Sequence, residues 1–199
     1  MTIAPSQSQS DSFAAGAGKF IQSLANRSIA ELTEDGLSTG ERRKRFRVIL
    51  NNEFAVKTIG RWVLGRYWRQ ATDAQRAEYL KLFENLLVVT YADRFADYKG
   101  EKLSVIKSMA KGKKDIVVFT KIRKPRDPKP VEIQWRVRAK EGKYIIIDVM
   151  VAGISMGQSQ RSEFASVIRR NGGDLDLFLE DMRNQKNIGM LKTTVWKNE

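Results

Sequence analysis

A carboxylate inside an apolar run is the first place to look for chemistry, and this chain has one. Asp148 is the only acid in residues 144–151, a segment otherwise made of tyrosine, isoleucine, valine and methionine. A carboxyl group in apolar surroundings can serve as a general base. The competing reading is structural: a carboxylate that accepts hydrogen bonds from nearby backbone or pairs with an arginine. The rest of the inventory favours the structural reading. The 199 residues contain no histidine and no cysteine. Ser-His-Asp and Cys-His catalysis are excluded, as are ordinary zinc sites. Disulfides and thiol chemistry are excluded too. An enzyme built from this chain would have to work with carboxylates, lysine or tyrosine.

Charge is the second chemical feature. Lysine and arginine number 36 against 23 acids, a formal net charge of +13. Such a field attracts nucleic acid, anionic lipid head groups or an acidic protein face. The basic residues are spread along the chain, and no nucleic-acid fold signature appears. The densest run is Arg42, Arg43, Lys44, Arg45 and Arg47. It reads as the solvated side of a helix, with a docking patch as the alternative. No glycine-rich phosphate loop and no internal repeat is present.

The elements that must position these groups follow from periodicity. Residues 1–12 lack the basic start and apolar core of a signal peptide and read as a disordered leader. A helix is predicted over 13–37. Ser38 and Glu41 have capping-box spacing and open a second helix, with Phe46, Ile49, Leu50 and Phe54 facing inward. A third covers 56–67. Thr72 and Gln75 form another capping box, opening a longer helix that ends by Gly100. Strands follow: a short one near 103–106, one over 116–122, and one over 131–138, where Val131, Ile133, Trp135 and Val137 alternate with polar residues. The fourth, 144–151, places Ile145, Ile147, Val149 and Val151 on one face and Tyr144, Ile146, Asp148 and Met150 on the other. A basic, proline-stiffened loop, 123–130, joins the second and third strands. After Gly153 the period becomes helical to 170, and a last helix follows Asp174. Helices, then a block of strands, then helices favour α+β with an antiparallel sheet. At this length the chain fits one domain, residues 13–183, with a polar, fraying tail at 184–199. No run approaches a membrane span.

Asp148, Gly153, Ser155, Gln160, Glu163, Phe164 and the Gly172-Gly173 pair together resemble the signature of the MlaC family. These are periplasmic phospholipid-shuttle proteins, also called toluene-tolerance or auxiliary ABC-transport proteins. A second block agrees: Phe46-Arg47-Val48-Ile49-Leu50, Phe54, the run Val63-Leu64-Gly65-Arg66-Tyr67-Trp68-Arg69-Gln70-Ala71-Thr72, then Gln75, Arg76, Phe83 and Tyr91. The resemblance covers residues 20–182. It implies a curved, four-stranded antiparallel sheet packed with N- and C-terminal helices, similar to the NTF2 and cystatin-like cone and enclosing an apolar pocket. It implies a carrier, not an enzyme, with a bound phospholipid as cargo and no other cofactor or metal. It further implies a periplasmic location, a part in outer-membrane lipid asymmetry, transient contact with membrane surfaces, and two partners: an inner-membrane ABC transporter complex and an outer-membrane lipoprotein complex. Related cargo such as a hopanoid is the near alternative. An NTF2-like small-molecule enzyme using Asp148 and a tyrosine is the runner-up, and a basic nucleic-acid or scaffold protein the third.

A lipid carrier needs a deep, dry cavity, because each acyl CH₂ left wet costs about 0.8 kcal/mol. The candidate walls are Ile147, Val149 and Val151 on the fourth strand, Ile133, Trp135 and Val137 beside it, and Trp62, Val63, Phe83 and Leu87 from the helices. Periodicity alone does not separate a hollow interior from a filled core. Arg161 and Glu163 read as a head-group or docking rim, or as a helix's solvated charges.

Overall fold

The computed structural model describes residues 6–112, 114–125, 129–140 and 142–184. Seven α-helices and five strands run in the order α1 Ser6–Leu32, α2 Thr39–Glu53, α3 Val56–Leu64, α4 Tyr67–Gln70, α5 Asp73–Ala92, β1 Lys102–Lys111, β2 Asp115–Arg123, β3 Val131–Lys140, β4 Lys143–Val151, β5 Ile154–Ser155, α6 Met156–Arg170 and α7 Leu175–Asn184. The strands form one antiparallel sheet in sequence order. The architecture is the α+β one expected, with one more strand than periodicity revealed. β5 has two residues, too few to carry a pattern.

Most boundaries follow from local chemistry. Ser38 caps α2 by accepting from the Glu41 amide, and Thr72 and Gln75 form a complete capping box on α5. Gly65, at φ 63°, ends α3 and splits the helix expected over 56–67. A Cβ there would meet the Arg161 guanidinium at 3.1 Å, a tight contact that would shift that side chain, and the positive φ itself favours glycine. α1 differs at both ends from the helix read over 13–37. It takes in residues 6–12, assigned to the leader, because extending a formed helix costs far less than starting one. It stops at Leu32, where α2 turns back and Arg42 donates to the Leu32 carbonyl at 2.9 Å. Residues 1–5 of the expected leader and 185–199 of the expected tail lie outside the described residues.

The alternation expected along β4 is interrupted. Arg136 pairs with Asp148 and Val137 with Ile146, so Ile147 is the extra residue of a β-bulge. A bulge exchanges the faces of the residues beyond it. Ile146 and Tyr144 therefore pack in the same cluster as Val149, and the grouping of Ile145 and Ile147 with Val149 is corrected.

β1 is the open edge of the sheet. It carries Lys102, Lys107 and Lys111 on exposed positions and a second bulge at Ile106. At the other edge, Phe54 bridges Ile146 and the Ala55 amide donates to the Ile146 carbonyl at 2.9 Å.

Candidate functional site

The apolar residues collect into two clusters. The first lies among the helices. Val63 of α3, Tyr79 and Phe83 of α5, Phe164 of α6 and Phe178 of α7 are all almost fully buried. Phe164 and Phe178 meet edge-on, with ring centroids 5.0 Å apart and planes at 67°. The Tyr79 hydroxyl donates to the Gly60 carbonyl at 2.9 Å. Burial pushes that hydroxyl well above its usual range.

The second cluster lies between α1, α2 and one face of the sheet. Ile116 and Val118 of β2, Trp135 and Val137 of β3 and Ile146 and Val149 of β4 form its floor, and Val118, Val137 and Ile146 are 0% exposed. Its cover has two halves of different character. Residues 14–18 of α1 contribute alanine and glycine only: Ala14 and Ala17 are buried, a Cβ on Gly16 would lie 2.2 Å from the Tyr144 hydroxyl, and one on Gly18 would lie 2.8 Å from Ser108 Oγ. The remainder, Ile21, Leu24 and Leu32, contributes bulky side chains. Phe46, midway along α2, and Phe54, at its C-terminal cap, pack against both clusters and form the seam between them.

Six of the ten candidate lining residues divide between these interiors. Trp135, Val137 and Val149 share the sheet cluster, while Val63, Phe83 and Leu87 belong to the helical one. Ile133 and Val151 are buried and face each other in register, outside both clusters. Ile147 sits half-buried on its bulge. Trp62 is 43% exposed. Its ring lies beside Gly157, where a Cβ would approach it to 3.0 Å, and beneath the Arg161 guanidinium at 5.2 Å. The small residues of α1 and the Phe46–Phe54 seam escaped the candidate set. Both phenylalanines read as ordinary inward residues, and alanine and glycine carry no hydrophobic signal.

Asp148 is a joint. Oδ1 accepts from the Val149 amide at 2.9 Å and the Gly157 amide at 3.2 Å, and Oδ2 accepts from the Ser155 hydroxyl at 2.6 Å. Ser155 in turn caps α6 by accepting from the Gln158 amide at 3.0 Å. One carboxylate thus ties β4 to the start of α6, and its oxygens are committed. The turn between them needs left-handed backbone, at φ 49° for Ala152 and 81° for Gly153. Glu163 is half-buried, and burial raises its carboxyl above the ordinary range against the pull of Arg170. Among the described residues no group of acidic side chains could hold a metal ion, and no helix is long and apolar enough to cross a membrane.

The family model for the MlaC protein matches residues 22–184. The chain belongs to the MlaC family. It is 20% identical over 161 residues, 77% of this chain and 75% of the relative, to the intermembrane phospholipid transport system binding protein MlaC of Haemophilus influenzae. It is 27% identical over 111 residues to the toluene tolerance protein ttg2D of Pseudomonas putida, covering 56% of this chain and 51% of that protein. A solved phospholipid-binding protein from Ralstonia solanacearum, in complex with a phospholipid, shares the fold with a TM-score of 0.72 at 22% identity, over 85% of this chain and 97% of that one. The MlaC signature residues thus have geometric roles here: Asp148 and Ser155 make the joint, Gly153 the turn, Phe164 the helical core, and Gly172 and Gly173, at φ 68° and 88°, the end of α6.

Proposed function

We propose that this MlaC-family chain is a non-enzymatic carrier that takes phospholipid acyl chains between α1 and the apolar face of its sheet. It would carry them through the periplasm between an inner-membrane ABC transporter complex and an outer-membrane lipoprotein complex. The observation that carries this reading is the mismatch between floor and cover. The floor offers Trp135, Val137, Val149 and Ile146, while residues 14–18 of α1 meet it with alanine and glycine. Apolar stabilisation scales with buried area, at about 25 cal/mol per Å². Lifting that part of the helix forfeits little, and acyl chains laid on the same floor bury more. The bulky half, Ile21, Leu24 and Leu32, keeps the helix attached. Polar head groups would stay at the mouth, where burying them would cost hydrogen bonds to water.

The test is a removable lock. Gly18 and Ser108 are close enough for cysteines at both positions to form a bond of about 2.05 Å between sulfurs. The chain has no other cysteine. Wild-type protein purified without detergent is expected to yield near-equimolar phospholipid on solvent extraction and mass spectrometry. Oxidised Gly18→Cys/Ser108→Cys should take up none from vesicles, and the same sample should load normally once reduced. Full loading in the oxidised state would place the acyl chains elsewhere. A wild-type preparation that neither contains nor acquires lipid would refute the carrier reading.

A further inference from the structure

We propose that the face built from α3, α4 and α6 docks an acidic protein surface, and that the cleft beside Arg66 and Arg169 seats a partner's carboxylate side chains. This goes beyond the carrier reading and stands on charge placement alone. Residues 56–70 hold Lys57, Arg61, Arg66 and Arg69 and no acid. α6 adds Arg161, Arg169 and Arg170 against Glu163. Among the described residues Arg61, Arg66, Arg69, Arg161 and Arg169 make no ion pair.

Aromatic rings hold three of them instead. Arg161 lies 5.2 Å from the Trp62 ring centroid, Arg61 lies 5.9 Å from that of Trp68, and Arg66 lies 4.9 Å from that of Tyr67. A stacked guanidinium is oriented by its face and keeps N–H groups at its edge for a planar oxyanion. The positions are contiguous. Arg161 packs across Gly65, and Arg66, Tyr67, Gln70, Arg169, Gly172 and Gly173 line one open cleft of about 460 Å³. The Gly172 and Gly173 amides already serve the end of α6, so recognition in the cleft falls to the side chains.

Arginine beside the exposed Trp62 is the composition of protein-interface anchors, while Tyr67, 5% exposed, braces Arg66 from the core side. A membrane-binding helix would turn a broad apolar face outward. Here Val56, Val63 and Leu64 of α3 point inward and Trp62 is its exposed large apolar side chain.

The probe is poly-L-glutamate at physiological salt, titrated against the full chain. Arg66→Glu/Arg169→Glu should weaken binding about tenfold or more, because each change removes an attraction and sets like charges against each other. Lys44→Glu/Lys99→Glu makes the same charge change at exposed positions outside the face and should weaken it less than about twofold, since salt screens distant charges. Arg66→Gln/Arg169→Gln gives an intermediate loss without added repulsion, and thermal melting confirms that each variant is folded. Equal losses in both charge-reversed pairs would show a diffuse field and no docking surface. Arginine-dependent binding to phosphatidylglycerol vesicles or single-stranded DNA in preference to polyglutamate would overturn the assignment to an acidic protein. Both reversed pairs should retain lipid as wild type does. Loss of lipid in the arginine pair alone would make the face part of the lipid site and overturn docking. Absence of lipid from wild type would remove the carrier reading and leave this one standing.

Discussion

Two regions of this molecule are rich in arginine, and the fold uses them in opposite ways. In α2 the arginines hold the chain to itself. Arg42, 9% exposed, donates to the carbonyls of Leu32 and Leu37 at 2.9 and 3.1 Å. Arg45 donates to the Glu31 carbonyl at 2.9 Å and pairs with Glu34. α1 has no basic residue in its last turn, so α2 supplies the positive charge its carbonyl end favours. Arg43 forks onto Asp93 at 3.0 and 2.5 Å, and Arg47 reaches Glu84 and Asn85 of α5. Along α3, α4 and α6, Arg61, Arg66 and Arg161 lie on aromatic rings, and among the described residues these three, Arg69 and Arg169 make no ion pair. A run of positive charge in sequence is therefore ambiguous until its partners are placed. The run that looked most like a solvated face is largely neutralised, and the scattered arginines form the open patch.

That contrast can be broken by mutation, and the largest effect is expected at Arg42. Replacing it with alanine leaves the Leu32 and Leu37 carbonyls without their donor and should destabilise the fold by about 2–3 kcal/mol in urea melts. An effect below half a unit on that scale would mean water replaces the guanidinium freely. Asp115 extends the paired class onto the sheet, where Arg136 and Arg138 both donate to it, at 2.6–3.1 Å. The hydrogen bond from Arg138, joined by that from Arg136, holds its carboxyl below the ordinary range against the opposing effect of burial. With the folded value lowered, the clamp contributes fully above the unfolded value of about 3.9 and is lost as pH falls below it. Asp115→Asn should therefore lose about 1–2 kcal/mol at pH 7, with the gap to wild type closing in acid. Parallel melting curves down to pH 3 would contradict the clamp. Arg43→Ala breaks a pair in which both side chains are more than a third exposed, and its loss should not exceed about 1 kcal/mol. Arg66→Ala should change stability by less than about 1 kcal/mol, since the exposed guanidinium meets only its neighbour Tyr67, stacking on the ring at 4.9 Å and donating to its hydroxyl at 2.9 Å. A large destabilisation there would move it into the paired class.

What the sequence made legible was local. Thr72 and Gln75 form the full capping box as read, Ser38 forms its half by accepting from the Glu41 amide, and the alternation of Val131, Ile133, Trp135 and Val137 with polar residues survives intact, because each depends on neighbours a few positions away. The bulge at Ile147 was not legible. It is set by pairing with β3 and marked by no glycine. The partners of the α2 arginines, Asp93 and Glu84, lie about forty to fifty residues downstream, so the charge run read as solvated. Trp62 has the spacing of an inward residue, and its exposure depends on how closely Gly157 lets α6 approach. The candidate lining residues were all apolar or aromatic, and periodicity does not say which of two interiors each enters. That division rests on Phe46 and Phe54, which touch both.

The edge strand β1 has a consequence for life in a crowded compartment. An exposed sheet edge invites strand-to-strand aggregation. β1 leaves backbone groups unpaired along its outer side, next to Ile106 and Met109, which are 54% and 50% exposed. Lys102, Lys107 and Lys111 place positive charge along that border, and the bulge at Ile106 bends it out of register with a second copy. Two molecules meeting edge to edge would bring like charges together before any ladder could form. The lysines of β1 thus act as a guard on colloidal behaviour, keeping two copies from joining their sheets.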